Sequence, residues 1–192
     1  KDAANPKKAT NPATWLKVSD AYATIYDAPI KSIWLGASQL ELKVILKDQR
    51  ILSSEAKSVN GVPYNIDTYS DKDLYYGQDG TLAAWVVTKP YLGGDLLKLA
   101  MESLDKAAET ANGSKNKDIA ERLTLMKGRY FNEGMNSYTL GDFKAASLNF
   151  EEAAKISVNP LVNAPDTTIM YYAGITANMY GDSDRAIKFF EM

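Results

Sequence analysis

Cysteine and histidine are both absent from these 192 residues. Without cysteine there are no disulfides, no thiolate zinc site and no cysteine nucleophile, and the redox compartment is left open. Without histidine the commonest general base and the commonest transition-metal ligand are gone. Charge of one sign is also lacking: net charge is −2, so there is no basic excess to displace counterions from a nucleic acid. No run of eighteen or more apolar residues occurs, which argues against a membrane span. Nucleophile-elbow, Walker and dinucleotide-binding motifs are missing too, and Gly93-Gly94-Asp95 reads as a helix breaker.

The carboxylates that remain do not assemble into chemistry. Glu151-Glu152 falls mid-helix between Phe150 and Ala153, the pattern of a solvated face. Asp67, Asp71 and Asp73 fail the calcium-loop spacing, because Tyr75 and Tyr76 stand where further oxygen ligands and a glycine belong. They read instead as strand-end and turn aspartates. The expectation is a non-enzyme with no cofactor and no metal.

What is present is a repeated pattern. Hydrophobic residues make up 45% and charged residues 24%, ordinary values for a globular chain with a real core. Residues 130–154 carry Gly134, then Gly141-Asp142-Phe143, then Ala146, Phe150 and Ala153. Forty residues on, the pattern returns as Gly174, Gly181-Asp182, Ala186 and Phe190. A weaker echo lies upstream at Ala100, Leu104 and Ala107. Small residues at these places let two helices approach closely, and the phenylalanines fill the groove beside them. Each Gly-Asp pair combines a helix stop with an N-cap, which makes a sharp reversal.

The pattern resembles a tetratricopeptide repeat (TPR), a helix–turn–helix unit of this spacing. A plain antiparallel helical bundle is the alternative architecture. Two positions depart from the family: Glu133 stands where a large residue usually precedes the glycine, and Ser137 and Ala177 replace the usual tyrosine. The resemblance implies a mainly α fold, a superhelix of antiparallel helix pairs, to which the chain's own hairpin signals add a small β-rich insertion.

Along the chain, residues 1–10 read as the tail of a preceding helix and a polar loop. Asn11-Pro12 then starts a helix through 26, which stops at Asp27-Ala28-Pro29. The next amphipathic helix is 95–111, so residues 30–92 read as an insertion within the first helix pair. In it, Ser38 and Glu41 form a capping box that opens a short helix through Leu46, although LELKVIL also alternates like a strand. Asn60-Gly61 marks a type I′ hairpin turn. A second reversal falls at Gly77–Gly80, giving antiparallel strands near 54–59, 62–69, 73–76 and 81–88, within 54–88 overall. Trp34, Tyr75, Tyr76, Trp85 and Tyr91 gather here, and are expected to form a small core joining sheet to helices. Helices are expected at 117–139, 142–157 and 166–180, with another starting at 182. The organisation is thus 1–29 helical, 30–92 inserted, and 93–192 helical repeats. With no initiator methionine at Lys1 and a helix pattern still running at Met192, the expectation is an array that continues beyond 192. Ile187, Phe189 and Phe190 would then leave an apolar face for self-association.

NPATW, KDLYYGQDGTLAAWVVTKP and YTLGDF, in that order, resemble a group of secreted TPR proteins of Gram-negative bacteria. From that resemblance comes the expectation of a periplasmic or secreted location. TPR arrays are non-catalytic scaffolds that hold a peptide or partner helix in a concave groove. Mapping the repeat's inner face onto this chain selects Phe131, Asn132, Met135 and Tyr138, then Tyr171, Tyr172, Ile175 and Asn178. Clamps of this family that hold a C-terminal carboxylate place lysine or arginine at several such positions, and none occurs here. An uncharged groove gripping a protein or peptide backbone is the implied function. The other reading is a glycan- or small-ligand-binding module using exposed aromatics of 30–92, as helical-repeat outer-membrane sugar-binding lipoproteins do. Exposure of Trp85 and Tyr75 would separate the two.

Overall fold

The structure, a computed structural model, describes residues 4–191. Helix starts are set locally by short polar side chains. The turn α1 (Pro6–Ala9) precedes α2 (Pro12–Asp27), where the Ala13 N–H donates to Asn11 Oδ1 at 2.9 Å. Aspartates do the same work for α4 (Leu96–Ala111), α6 (Phe143–Ser157), α7 (Thr167–Tyr180) and α8 (Ser183–Phe190), each accepting a backbone N–H three residues on. Such caps satisfy donors that the helix itself leaves free. The longest helix, α5 (Asn116–Thr139), has no side-chain cap.

These helices pack in succession. α2 lies against α4, α4 against α5, α5 against α6, α6 against α7, and α7 against α8. Arg122 pairs with Asp20 and Arg129 with Asp27, so a seven-residue step on α5 matches a seven-residue step on α2. The two helices therefore run parallel, side by side, and α4 runs against both. One core joins them, including Leu16, Leu104, Met126, Phe150, Ile156 and Ile169. The chain is mainly helical, as expected, with one sheet added.

That sheet comes from residues between α2 and α4. After a 3-10 turn (Ala28–Ile30), α3 (Gln39–Ile45) opens on a complete capping box: Glu41 N–H donates to Ser38 Oγ, and Ser38 N–H to the Glu41 carboxylate. The ambiguous LELKVIL stretch is thus helical from Leu40 through Ile45, with Leu46 as its C-cap. Strands β1 (Ser53–Val59), β2 (Val62–Thr68), β3 (Lys72–Tyr76) and β4 (Leu82–Val87) follow as an antiparallel meander in chain order. Asn60 and Gly61 take φ of 50° and 80°, the positive values that a type I′ turn requires. The tip of this hairpin reaches the helices. Asn60 Nδ2 donates to the Leu140 carbonyl at 2.6 Å, and a Cβ at Gly141 would overlap that same amide.

Several expectations need correction. The aromatic residues of 30–92 do not form one core joining sheet to helices. Tyr76 and Trp85 are buried, but in a separate cluster with Ala37, Leu42, Leu46, Leu74 and Leu82, closed by α3. Trp34 is 46% exposed and Tyr91 69%, because both lie on connecting loops outside that cluster. Glu151 is not a solvated carboxylate; it joins α6 to α8 through an ion pair with Arg185. Phe189 is buried, because it shares the inward face of α8 with Ala186, while Ile187 and Phe190 remain exposed. Of the acidic trio, Asp67 accepts from Ser54 Oγ at 2.5 Å and Gln39 Nε2 at 2.9 Å. Asp71 pairs with the buried Lys72 at 2.9 Å. Among the described residues no helix is long and apolar enough to cross a membrane. Residues 1–3, part of the expected first helical tail, lie outside the described residues.

Candidate functional site

Repetition in the sequence becomes repetition in space at two glycines. A Cβ on Gly134 would lie 2.6 Å from Phe150 Cε1, and one on Gly174 would lie 2.6 Å from Phe190 Cε1. In both pairs a phenylalanine ring rests on the bare backbone of the preceding helix. Their surroundings differ. Phe150 is fully buried, with Tyr172 stacked at 5.2 Å and Phe131 at 5.7 Å. Phe190 is 54% exposed, with Tyr171 tilted against it at 6.3 Å.

The eight residues expected in a groove are divided by this packing. Phe131, Met135, Tyr138 and Tyr172 are half-buried along the seam between α5 and α7. Tyr172 lies edge-on to both Phe131 and Tyr138, each at 6.3 Å. These rings support the helices as much as they line a surface. Tyr171 and Asn178 are exposed and Ile175 half-buried. Asn132 points elsewhere, to a recess shared with Tyr26, Ile33, Trp85 and Arg129. Beside Phe131, a shallow pocket of about 370 Å³ is lined by Lys127, Gly128, Asp166, Thr168 and Ile169. Lys127 is engaged there by Asp166 at 3.8 Å.

A second, larger cavity of about 470 Å³ lies where the sheet meets the helices. The end of α2 gives it Ile25 and Tyr26, β4 gives Trp85 and Val87, α4 gives Leu96 and Leu97, and α5 gives Tyr130, Glu133 and Asn136. Two of these residues stood out in the sequence: Trp85 as an aromatic of the insertion, and Glu133 as a carboxylate where the resembled repeat has a large residue. Its role is visible here: Glu133 accepts the hydroxyl of Tyr26. Burial raises the Glu133 pKa above its ordinary value of 4.5; the Tyr26 hydrogen bond opposes this, and the negative charge of Asp95 adds to it. Burial likewise raises the Tyr26 phenol, with the Glu133 charge second. The net shift at each residue is upward and favours its protonated form.

No protein-family model matches the chain, and no curated protein or solved structure matches it either.

Proposed function

We propose that the chain is a non-catalytic interaction scaffold of TPR type, holding a peptide or partner helix against α5 and α7. The observation that carries this reading is the paired glycine–phenylalanine contact, 134 with 150 and 174 with 190, on successive helix pairs. Stacked pairs of this kind make an extended surface in which each unit contacts only its neighbours. Apolar and amide groups offer the grip: Tyr171, Asn178 and Met179 are exposed along α7, and the pocket beside Phe131 has room for an apolar side chain. The nearest lysine is already paired, so a charge clamp has no free cation to work with at that pocket.

Two substitutions test this. Tyr171→Ala removes an exposed ring; the protein should stay folded and lose about 1–3 kcal/mol of affinity for a partner captured by the full-length protein. Tyr138→Ala removes a half-buried ring that packs on Phe143 and Tyr172, so its melting temperature should fall as well. Binding that ignores Tyr171→Ala, or that weakens steeply with salt, rejects the uncharged groove. A sugar platform on the insertion has less support, because Trp85 is 3% exposed and Tyr75 packs edge-on against Tyr64 at 6.1 Å. We infer a periplasmic or secreted location from the resemblance to secreted TPR proteins. Fractionation of cells expressing the full-length protein tests it.

A further inference from the structure

The sheet has one open edge. Its strands run β1-β2-β3-β4, and the outer side of β4 is engaged. There the Leu82 N–H donates to the Ala37 carbonyl at 2.8 Å, and the Trp85 N–H donates to Asn136 Oδ1 at 3.2 Å. The outer side of β1 is different. The two-residue turn at Asn60-Gly61 closes on Val59 and Val62, so that pair exchanges both backbone hydrogen bonds. Bonded and non-bonded pairs alternate along the ladder, so Lys57 with Tyr64 and Glu55 with Ile66 bond in the same way. Ser54, Ala56 and Ser58 therefore turn their N–H and C=O groups away from β2. No loop or helix among the described residues bonds to these groups. Every residue from Ser53 to Ser58 is exposed. An edge of this kind is a template for another strand.

We propose that this edge recognises a second copy of the chain, the two β1 strands pairing antiparallel about a two-fold axis at Ala56. The charges on the edge select that partner. Glu55 and Lys57 point to the same face of the sheet, with Ala56 between them. Pairing about Ala56 puts Ser54 opposite Ser58 of the second copy, and Glu55 opposite its Lys57, twice over. Outward backbone groups then meet outward backbone groups. The two Glu–Lys pairs take the non-bonded places, where side chains stand closest. The neighbouring registers that keep the backbone groups facing fail: one sets Glu55 against Glu55, the other Lys57 against Lys57, and like charges directly opposite are destabilising. A lone edge lysine discourages any added strand; with Glu55 two residues away, it discourages strands other than this one. The contact is isologous, so it closes at two copies and joins two four-stranded sheets into one. Two strands of seven residues make a small interface, so the dimer is weak, with a Kd of about 0.1–1 mM. The edge lies apart from the α5–α7 surface, so its test is independent of the scaffold.

Sedimentation equilibrium of the whole chain, from about 10 μM to about 1 mM, measures the association, and amide exchange by NMR locates it. The wild type should dimerise over that range, and the amides of Ser54, Ala56 and Ser58 should gain protection as it does. Glu55→Lys sets lysine against lysine in both pairs, and Lys57→Glu sets glutamate against glutamate. Each variant alone should dimerise about tenfold more weakly. Mixed in equal amounts, the two should associate with one another as the wild type does, because every pair is again Glu with Lys. The double variant Glu55→Lys, Lys57→Glu should dimerise by itself. Ala56→Pro removes the central outward N–H at a place where an edge strand tolerates proline, and should give a folded monomer. Should it unfold, the charge exchange decides, since residues 55 and 57 are exposed. A wild type that stays monomeric at about 1 mM overturns the proposal and leaves the edge to a strand of another protein. Association that persists unchanged in both single-charge variants overturns it too, as does a mixture that fails to restore it. Loss of the dimer in Phe190→Ser instead would assign the contact to the exposed ring on α8 and overturn it likewise.

Discussion

Gly134 and Gly174 occupy equivalent places on α5 and α7, yet the same substitution should act on them differently. Alanine gains about 0.5–1 kcal/mol over glycine inside a helix from backbone entropy. Against this stands the ring 2.6 Å from the new methyl group. Phe150 is fully buried between Phe131 and Tyr172 and has nowhere to turn, so overpacking should cost about 1–3 kcal/mol. Phe190 is exposed and can swing aside. Gly134→Ala should therefore lose about 1–2 kcal/mol net by urea unfolding, and Gly174→Ala should be neutral or slightly stabilising. Equal losses at the two sites would contradict this account of the spacing.

Between elements, the contact of α2 with α5 combines exposed and buried electrostatics. The Arg122–Asp20 pair is partly exposed, and pairs in contact with water contribute about 0–1 kcal/mol. The Tyr26–Glu133 contact is the more sheltered one. Because burial raises the folded pKa of Glu133 above 4.5, the folded protein binds that proton more tightly than the unfolded chain. Its stabilising contribution is complete below about pH 4.5 and is lost as pH rises through the folded pKa. Glu133→Gln keeps an acceptor for the Tyr26 hydroxyl and does not titrate. Relative to this variant, the wild type should lose melting temperature as pH is raised from 4 to 8. Parallel curves for the two proteins would show that Glu133 does not hold the proton.

At the scale of the whole molecule, two hydrophobic clusters share one chain. The helical cluster runs through α2, α4, α5, α6, α7 and α8, and the other lies between the sheet and α3. Among the described residues, the polar bonds from the sheet and its hairpin turn to the helices of the first cluster are few: Trp85 to Asn136, Asn60 to Leu140, and a long contact from Tyr64 to Thr139. Leu42 is fully buried in the second cluster and Phe150 in the first. Leu42→Ala should cost about 2–5 kcal/mol and lower amide protection in β2 to β4 first. Phe150→Ala should cost about 3–5 kcal/mol and lower protection in α5 to α7. Hydrogen exchange reads both at once, and a uniform loss in either variant would mean that the clusters unfold as one. A peptide of 54–89 alone lacks Ala37, Leu42 and Leu46, which close the second cluster, and should remain unfolded.

What the sequence by itself determined about this protein is whatever short-range chemistry decides. Asparagine and aspartate caps began the helices, Asn60-Gly61 turned the hairpin, and the spacing of Gly134 to Phe150 put a ring on a bare backbone. Each depends on partners within one turn, one hairpin or one helix pair, so the residues nearby carry enough information. The tertiary structure alone decided which side chains become buried by distant neighbours. Tyr26 meets Glu133 across 107 positions and Trp85 meets Asn136 across 51, separations at which no periodicity speaks. For the same reason Lys72 gave no sign of being buried; its ammonium is held by Gln49 and Asp71 over the Tyr69 ring. The eight residues expected in a groove were legible as positions on α5 and α7, although Asn132 turns to a different recess from the rest. Their division into supporting rings and exposed ones was not, because it depends on where the next helix packs.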